Sequence, residues 1–253
     1  MKINRVELKQ RSITLLRCAR PSVILVALAY TALSFLMYLL SNRLMGINFT
    51  QADMDRYMQL VSEGNLDYAL ILLEDMVPPA SSGVIDMLLQ ILRSIVGAGF
   101  ILFLLNTIRS AGACLGNLLD GFGFFLKIIG LTILEYIFIT LWSLLLIFPG
   151  FIAAYRYSMA IYLLVDDPSR SPLECLRLSK EMMKGHKWEL FVLDLSFIGW
   201  GFLAMLPLVG YAVQVWTVPY ISMTKALYYE KLSGRDIYAA QAGGTVPPPW
   251  EQV

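Results

Sequence analysis

Residues 22–41 read SVILVALAYTALSFLMYLLS, an unbroken stretch without a charged side chain. A bilayer core of about 30 Å is crossed by a helix of roughly 20 such residues. Pro21 stands immediately before the stretch, and residues 1–21 before it carry Lys2, Arg5, Lys9, Arg11, Arg17 and Arg20 against the single acid Glu7. Ile3, Val6, Ile13 and Leu16 interleave with those charges at near-helical spacing, which predicts a basic amphipathic helix on an anionic cytoplasmic leaflet. A secretory signal is the competing reading. The basic stretch is long for one, the apolar run approaches a full span, and no small-x-small cleavage site follows, so the segment reads as a retained anchor.

The rest of the chain repeats this alternation. Of its 253 residues 57% are hydrophobic and 15% charged, against about 45–50% and about 25% in ordinary soluble domains. Residues 42–83 hold Asp53, Asp55, Glu63, Asp67, Glu74 and Asp75 but only Arg43 and Arg56, which places them outside the cytoplasm under the positive-inside rule. Their apolar positions predict two short amphipathic helices, broken at Gly64-Asn65 and ended by Pro78-Pro79. Further spans are expected at 84–108, 124–148, 151–165, 188–206 and 209–229, with turns at Pro149-Gly150 and Pro207. The Gly-rich stretch Gly112 to Gly123 and the segment containing Arg170, Arg177, Lys180, Lys184 and Lys187 fall inside. Ser171-Pro172-Leu173-Glu174 is a capping box with proline at the first helical position, and Gly185 stands where a helix ends. Residues 171–185 therefore form a surface helix, with Leu173, Leu176 and Met183 on one face. The tail 238–253, with Gly243-Gly244 and Pro247 to Pro249, reads as disordered.

The expected fold is all-α: a multi-pass protein of the cell membrane with about six transmembrane helices and both termini cytoplasmic. Its weak point is 151–165, short against the roughly 17–25 residues a span needs; a re-entrant pair there is the alternative. Net charge is +1, from 20 Lys and Arg against 19 Asp and Glu, which gives no basic surface for nucleic acid. Cys18, Cys114 and Cys175 are scattered and odd in number, and His186 stands alone, so neither disulfides, a metal site nor a cofactor is expected. No catalytic fingerprint appears, and the chain is not expected to be an enzyme.

Several ordered words in the second half carry a resemblance: Ile147-Phe148-Pro149-Gly150-Phe151-Ile152-Ala153, Tyr155-Arg156-Tyr157-Ser158-Met159-Ala160, Lys184-Gly185-His186-Lys187-Trp188, Leu195-Ser196-Phe197-Ile198-Gly199-Trp200 and Pro219-Tyr220. With them the chain resembles a bacterial integral membrane family, domain of unknown function 975, from the basic N-terminal helix to about Leu232. The resemblance implies a multi-pass membrane protein and supplies no activity and no catalytic residue.

Ionisable groups inside spans are costly, about 2.5–3.5 kcal/mol each at a helix centre on insertion scales, and so mark candidate sites. Here they are Arg93, Glu135, Arg156 and Asp194. Asp86, Gln90, Arg93 and Gly97 fall on one helical face, which should turn inward. Counting depth along the helices pairs Arg156 or Arg93 with Glu135 and sends Asp194 toward Lys127 or His186. Glycines 97 and 99, and 199 and 201, permit close helix approach. Two functions remain open: a small transporter or permease component, built round a water-accessible polar layer, and a non-catalytic scaffold for an export or envelope system. Expected partners are the lipid bilayer and a second copy or another membrane protein.

Overall fold

The computed structural model describes residues 4–19, 22–45, 51–76, 80–145, 147–204 and 209–234. All regular elements among them are helical: α1 (Arg5–Cys18), α2 (Val23–Met45), α3 (Gln51–Ser62), α4 (Leu66–Met76), α5 (Ala80–Arg109), α6 (Asn117–Asp120), a 3-10 turn (Gly121–Phe124), α7 (Phe125–Leu145), α8 (Ile147–Tyr157), α9 (Ala160–Asp166), α10 (Pro172–Met182), α11 (Lys187–Leu195), α12 (Ile198–Ala204) and α13 (Val209–Leu232). The expected all-α class is what the chain adopts. Among the described residues, three stretches are long and apolar enough to cross a membrane: Val23–Ser41, Val84–Arg109 and Asn117–Leu144.

The later spans differ in detail. The stretch expected as one helix over 151–165 is two, α8 and α9, interrupted at Ser158-Met159, and that expected over 188–206 is α11 and α12, interrupted at Ser196-Phe197. Pro149 and Gly150, expected as a turn, lie inside α8. Proline fits there because the first-turn amides have no intrahelical acceptor in any case. A Cβ on Gly150 would meet the side chain and Cα of Ser143 on α7, so this glycine serves close packing of α7 on α8. The tail 238–253, Pro78-Pro79 and Pro207 lie outside the described residues.

The chain divides into two units, residues 1–31 with 94–253, and residues 32–93. In the smaller unit α3 and α4 pack together across the expected break, where Gly64 takes φ +75° and the Asn65 amide donates to the Leu60 carbonyl at 3.0 Å. Only glycine adopts that backbone without a Cβ penalty. Asp86 accepts a hydrogen bond from the buried Ser41 hydroxyl at 2.7 Å, so the inward polar face of α5 is seen at that position; Gln90 is exposed.

The larger unit is built round α13, whose Met223, Thr224, Ala226, Leu227, Tyr228 and Tyr229 are buried. α1 lies against it through Leu8, Ser12 and Leu16, one helical face, and Ser12 bonds Thr224 at 3.1 Å. The amphipathic face expected to rest on lipid is thus partly taken up by protein. On α5 the buried Phe100, Phe103, Leu104 and Leu105 continue the core, with Tyr30 stacked on Phe100 at 4.6 Å. α7 is different. Leu126, Ile133, Ile137, Leu141 and Leu144 form an exposed ridge, Leu144 at 85%, while Ile128 and Leu131 behind it are buried. A soluble protein rarely leaves such a face open; hydrocarbon solvates it without cost.

α10 begins as expected. The Ser171 hydroxyl accepts from the Glu174 amide at 3.3 Å, Pro172 fills the first turn, and Gly185 takes φ +88° in the turn that follows. Its face is shifted from expectation, however. Cys175, Leu176, Ser179, Met182 and Met183 are buried while Leu173 is exposed, because the helix packs on α7, α8 and α9. Burial pushes the Cys175 thiol up to about 11, so it stays protonated, and unreactive, until the pH nears that value. In a Cys18→Ser background, maleimide at pH 7 is expected to label the exposed Cys114 and to leave Cys175 intact until the protein is unfolded; equal labelling rates in the folded protein would contradict this burial.

Candidate functional site

The first helix interruption borders a polar cleft, which Ser158 and Met159 line, and Asp194 of the same cleft stands two residues before the second. At the first, a single hydroxyl joins both broken ends: Ser179 Oγ, fully buried on α10, donates to the Arg156 carbonyl at 2.9 Å and accepts from the Met159 amide at 3.2 Å. Freed peptide groups inside a bundle are tolerated where such side chains satisfy them. At the second, the Ser196 carbonyl accepts from Lys9 Nζ at 3.4 Å, and the same ammonium stands 4.4 Å from the centre of the Phe197 ring. Partial burial, then Arg5, lowers the Lys9 pKa from its ordinary value.

A cavity of about 300 Å³ opens between α8, α11 and α13. Its lining comprises Phe151, Ala154, Tyr155, Ser158, Met159 and Leu190 together with Asp194 and Lys225. Asp194 Oδ1 is 3.0 Å from Lys225 Nζ, and the Tyr155 hydroxyl reaches Asp194 Oδ2 at 3.4 Å. Tyr155 is itself oriented by an edge-on contact with Phe191, at 5.9 Å. Both charged side chains remain part-exposed, at 27% and 34%, so the pair can exchange partners with a ligand. The remaining wall is apolar. Chemically, the cleft offers one anion, one cation and a phenol beside a hydrophobic surface, which suits a small polar or zwitterionic molecule.

These elements all lie within one matched segment. Residues 144–236 match the family model described as Protein of unknown function (DUF975). The DUF975 segment contains every word that carried the resemblance, and it starts well after the N-terminal helix from which the resemblance was expected to run. No curated protein and no solved structure matches the chain.

Of the four candidates read from sequence, Asp194 lines the cleft in the DUF975 segment, and the four do not converge. Asp194 meets Lys225, while Lys127 donates to the carbonyls of Pro168 and Ser169, at 2.5 and 2.9 Å, and His186 pairs with Glu189 at 2.8 Å. Arg156 lies over the Trp142 ring at 5.7 Å rather than against Glu135. Among the described residues Glu135 makes no hydrogen bond or ion pair. Arg93, with its Nε buried and without an acceptor, belongs to the smaller unit.

Lys225, Tyr155 and Ser158 were not read from sequence as site residues. Lys225 was legible: it lies about two turns before the end of α13, as Asp194 lies about two turns after Lys187, so both sit roughly 10 Å along their helices. A second cluster also went unnoticed. Arg109 Nη1 is 2.6 Å from Asp166 Oδ1, its Nη2 is 2.6 Å from Glu230 Oε1, and the Tyr229 hydroxyl donates to Asp166 Oδ2 at 2.8 Å. Each residue sits at a helix end, where a charge reads as an ordinary interfacial one.

Proposed function

We propose that this chain is a permease component with six membrane spans and both termini in the cytoplasm, and that its cleft at Asp194 and Lys225 receives a small polar or zwitterionic solute without covalent chemistry. The observation that carries the reading is the position of the cleft, between two interrupted helices and an ion pair. Transporters place substrate sites at such breaks because the freed peptide dipoles and flexible joints are there. Length supports the spans. Ile147–Asp166, Lys187–Ala204 and Val209–Leu232 hold 20, 18 and 24 residues, or about 30, 27 and 36 Å as helix. The short fourth span gains four residues because α8 begins at Ile147.

The scaffold reading draws on a separate observation. Met54, Met58, Leu66, Tyr68, Leu70 and Ile71 of α3 and α4 are exposed on an acidic hairpin, a surface suited to another envelope protein or a second copy.

Cysteine accessibility separates the two. With the native cysteines replaced, single cysteines at Ala154 and Ser158 are expected to react with a membrane-impermeant thiol reagent, and one at Leu144, on the lipid-facing ridge, is not. Failure of both cleft positions to react in right-side-out and inverted vesicles alike would sink the permease reading in favour of a packed scaffold. A charge reversal, Asp194→Lys with Lys225→Asp, is expected to preserve folding while abolishing any solute-dependent thermal stabilisation.

A further inference from the structure

The ion pair in the cleft is not sealed. Asp194 Oδ1 and Lys225 Nζ stand 3.0 Å apart, and each side chain keeps part of its surface uncovered. The cavity they share measures about 300 Å³, and Phe151, Ala154, Met159 and Leu190 supply its apolar wall. Two hydroxyls complete the lining with their own protons already committed. Tyr155 donates to Asp194 Oδ2 at 3.4 Å, and Ser158 donates to the Tyr155 carbonyl at 3.0 Å. Each hydroxyl oxygen therefore keeps lone pairs with which to accept.

Charges held this close select a ligand by the spacing of its own charges. A solute with a single charge satisfies one member of the pair only by drawing it from the other. A solute whose two charges lie far apart must separate the pair to reach both. A zwitterion of matching spacing lies across the pair instead, ammonium at Asp194 and carboxylate at Lys225, so that every charge in this partly desolvated site has opposite neighbours. In an α-amino acid two bonds, about 2.5 Å, separate the ammonium nitrogen from the carboxylate carbon, comparable to the 3.0 Å between Oδ1 and Nζ. Its N–H donors meet the carboxylate and hydroxyl oxygens, and its side chain falls on the apolar wall. Resting on the permease reading, we infer that the cleft takes a free α-amino acid with an apolar side chain. Asp194 and Lys225 set the spacing of the charges, and the wall that includes Phe151 and Leu190 selects the side chain.

Thermal unfolding of the full chain in nanodiscs, with L-leucine and close analogues as ligands, tests this. L-Leucine is expected to raise the midpoint saturably. Its isomer 6-aminohexanoate carries the two charges at opposite ends of the molecule, while 4-methylpentanoate and 3-methylbutylamine keep the apolar group with one charge each. All three are expected to bind at least about tenfold more weakly, the loss of one charge-assisted hydrogen bond. Glycine, which lacks the apolar side chain, is expected to be weakened at least as much. Lys225→Gln and Asp194→Asn are expected to lose the leucine response; should either fail to fold, the ligand series on the wild-type chain decides. No response to leucine, an equal response to leucine and 6-aminohexanoate, or a leucine response retained in both variants overturns the amino-acid site. If cysteines at Ala154 and Ser158 still react from water in that case, the permease reading stands without it. Should those cysteines stay unreactive while leucine stabilises selectively, the amino-acid site stands and the permease reading falls.

Discussion

Arg109→Ala is expected to destabilise the protein by about 3–5 kcal/mol, the cost of leaving buried carboxylates without their cation. The Asp166 and Glu230 side chains are 3% and 4% exposed, and the guanidinium lies between them, its Nε also reaching Glu230 at 2.8 Å. The three residues end α5, α9 and α13, so the cluster ties the ends of three helices together, and Tyr229, stacked on Tyr162 at 5.4 Å, joins the same network. Removing all three charges together, as Arg109→Met with Asp166→Asn and Glu230→Gln, is expected to recover most of the loss, because isosteric neutral groups carry no desolvation penalty of that size. Thermal unfolding in detergent followed by size-exclusion chromatography reads both. If the single variant melts with the wild type, or the triple variant melts no later than the single, the cluster does not hold these helices.

Gly99→Ala and Gly121→Ala carry the next largest expectation, a destabilisation of about 1–3 kcal/mol each from overpacking where α5 meets α6 and the 3-10 turn. A Cβ on Gly99 would meet the backbone of Leu118 and lie 2.7 Å from the Asn117 carbonyl oxygen; one on Gly121 would meet the Ile95 carbonyl oxygen and lie 3.2 Å from the Gly99 amide nitrogen. The atoms in the way are backbone, which cannot rotate aside as a side chain can. Gly199→Ala and Gly201→Ala serve as controls, since nothing stands within 4 Å of either position among the described residues, and they are expected to melt within about 0.5 kcal/mol of wild type, as surface changes do. Equal melting of Gly99→Ala and Gly199→Ala would remove the close approach. The pair 199 and 201 had the same spacing as 97 and 99, so spacing alone does not reveal which glycines are crossed by another segment.

What the amino-acid sequence determined by itself is what local physics determines. Apolar length makes the helices of 22–41 and 84–108, whatever packs around them. The capping box at Ser171 and the left-handed glycines 64 and 185 mark ends and turns through their own backbones. The broad class, all-helical with apolar helices of membrane-crossing length, follows from composition, as does the family resemblance carried by 144–236.

Partner choice was decided only by the tertiary structure. Counting depth along helices paired Arg156 or Arg93 with Glu135 and Asp194 with Lys127 or His186, but depth fixes one coordinate and leaves rotation about each axis free. Packing fixes that rotation, with Arg156 over Trp142 and Asp194 against Lys225. Neither the break at Ser158-Met159 nor that at Ser196-Phe197 has a proline or a glycine at the joint to announce it. At the first, the signal is Ser179, some twenty residues away on another helix, whose hydroxyl replaces the missing helical bonds. A side chain that satisfies a distant backbone leaves no local pattern, and the cleft it helps to open, with its Asp194–Lys225 pair, exists only once α8, α11 and α13 are packed together.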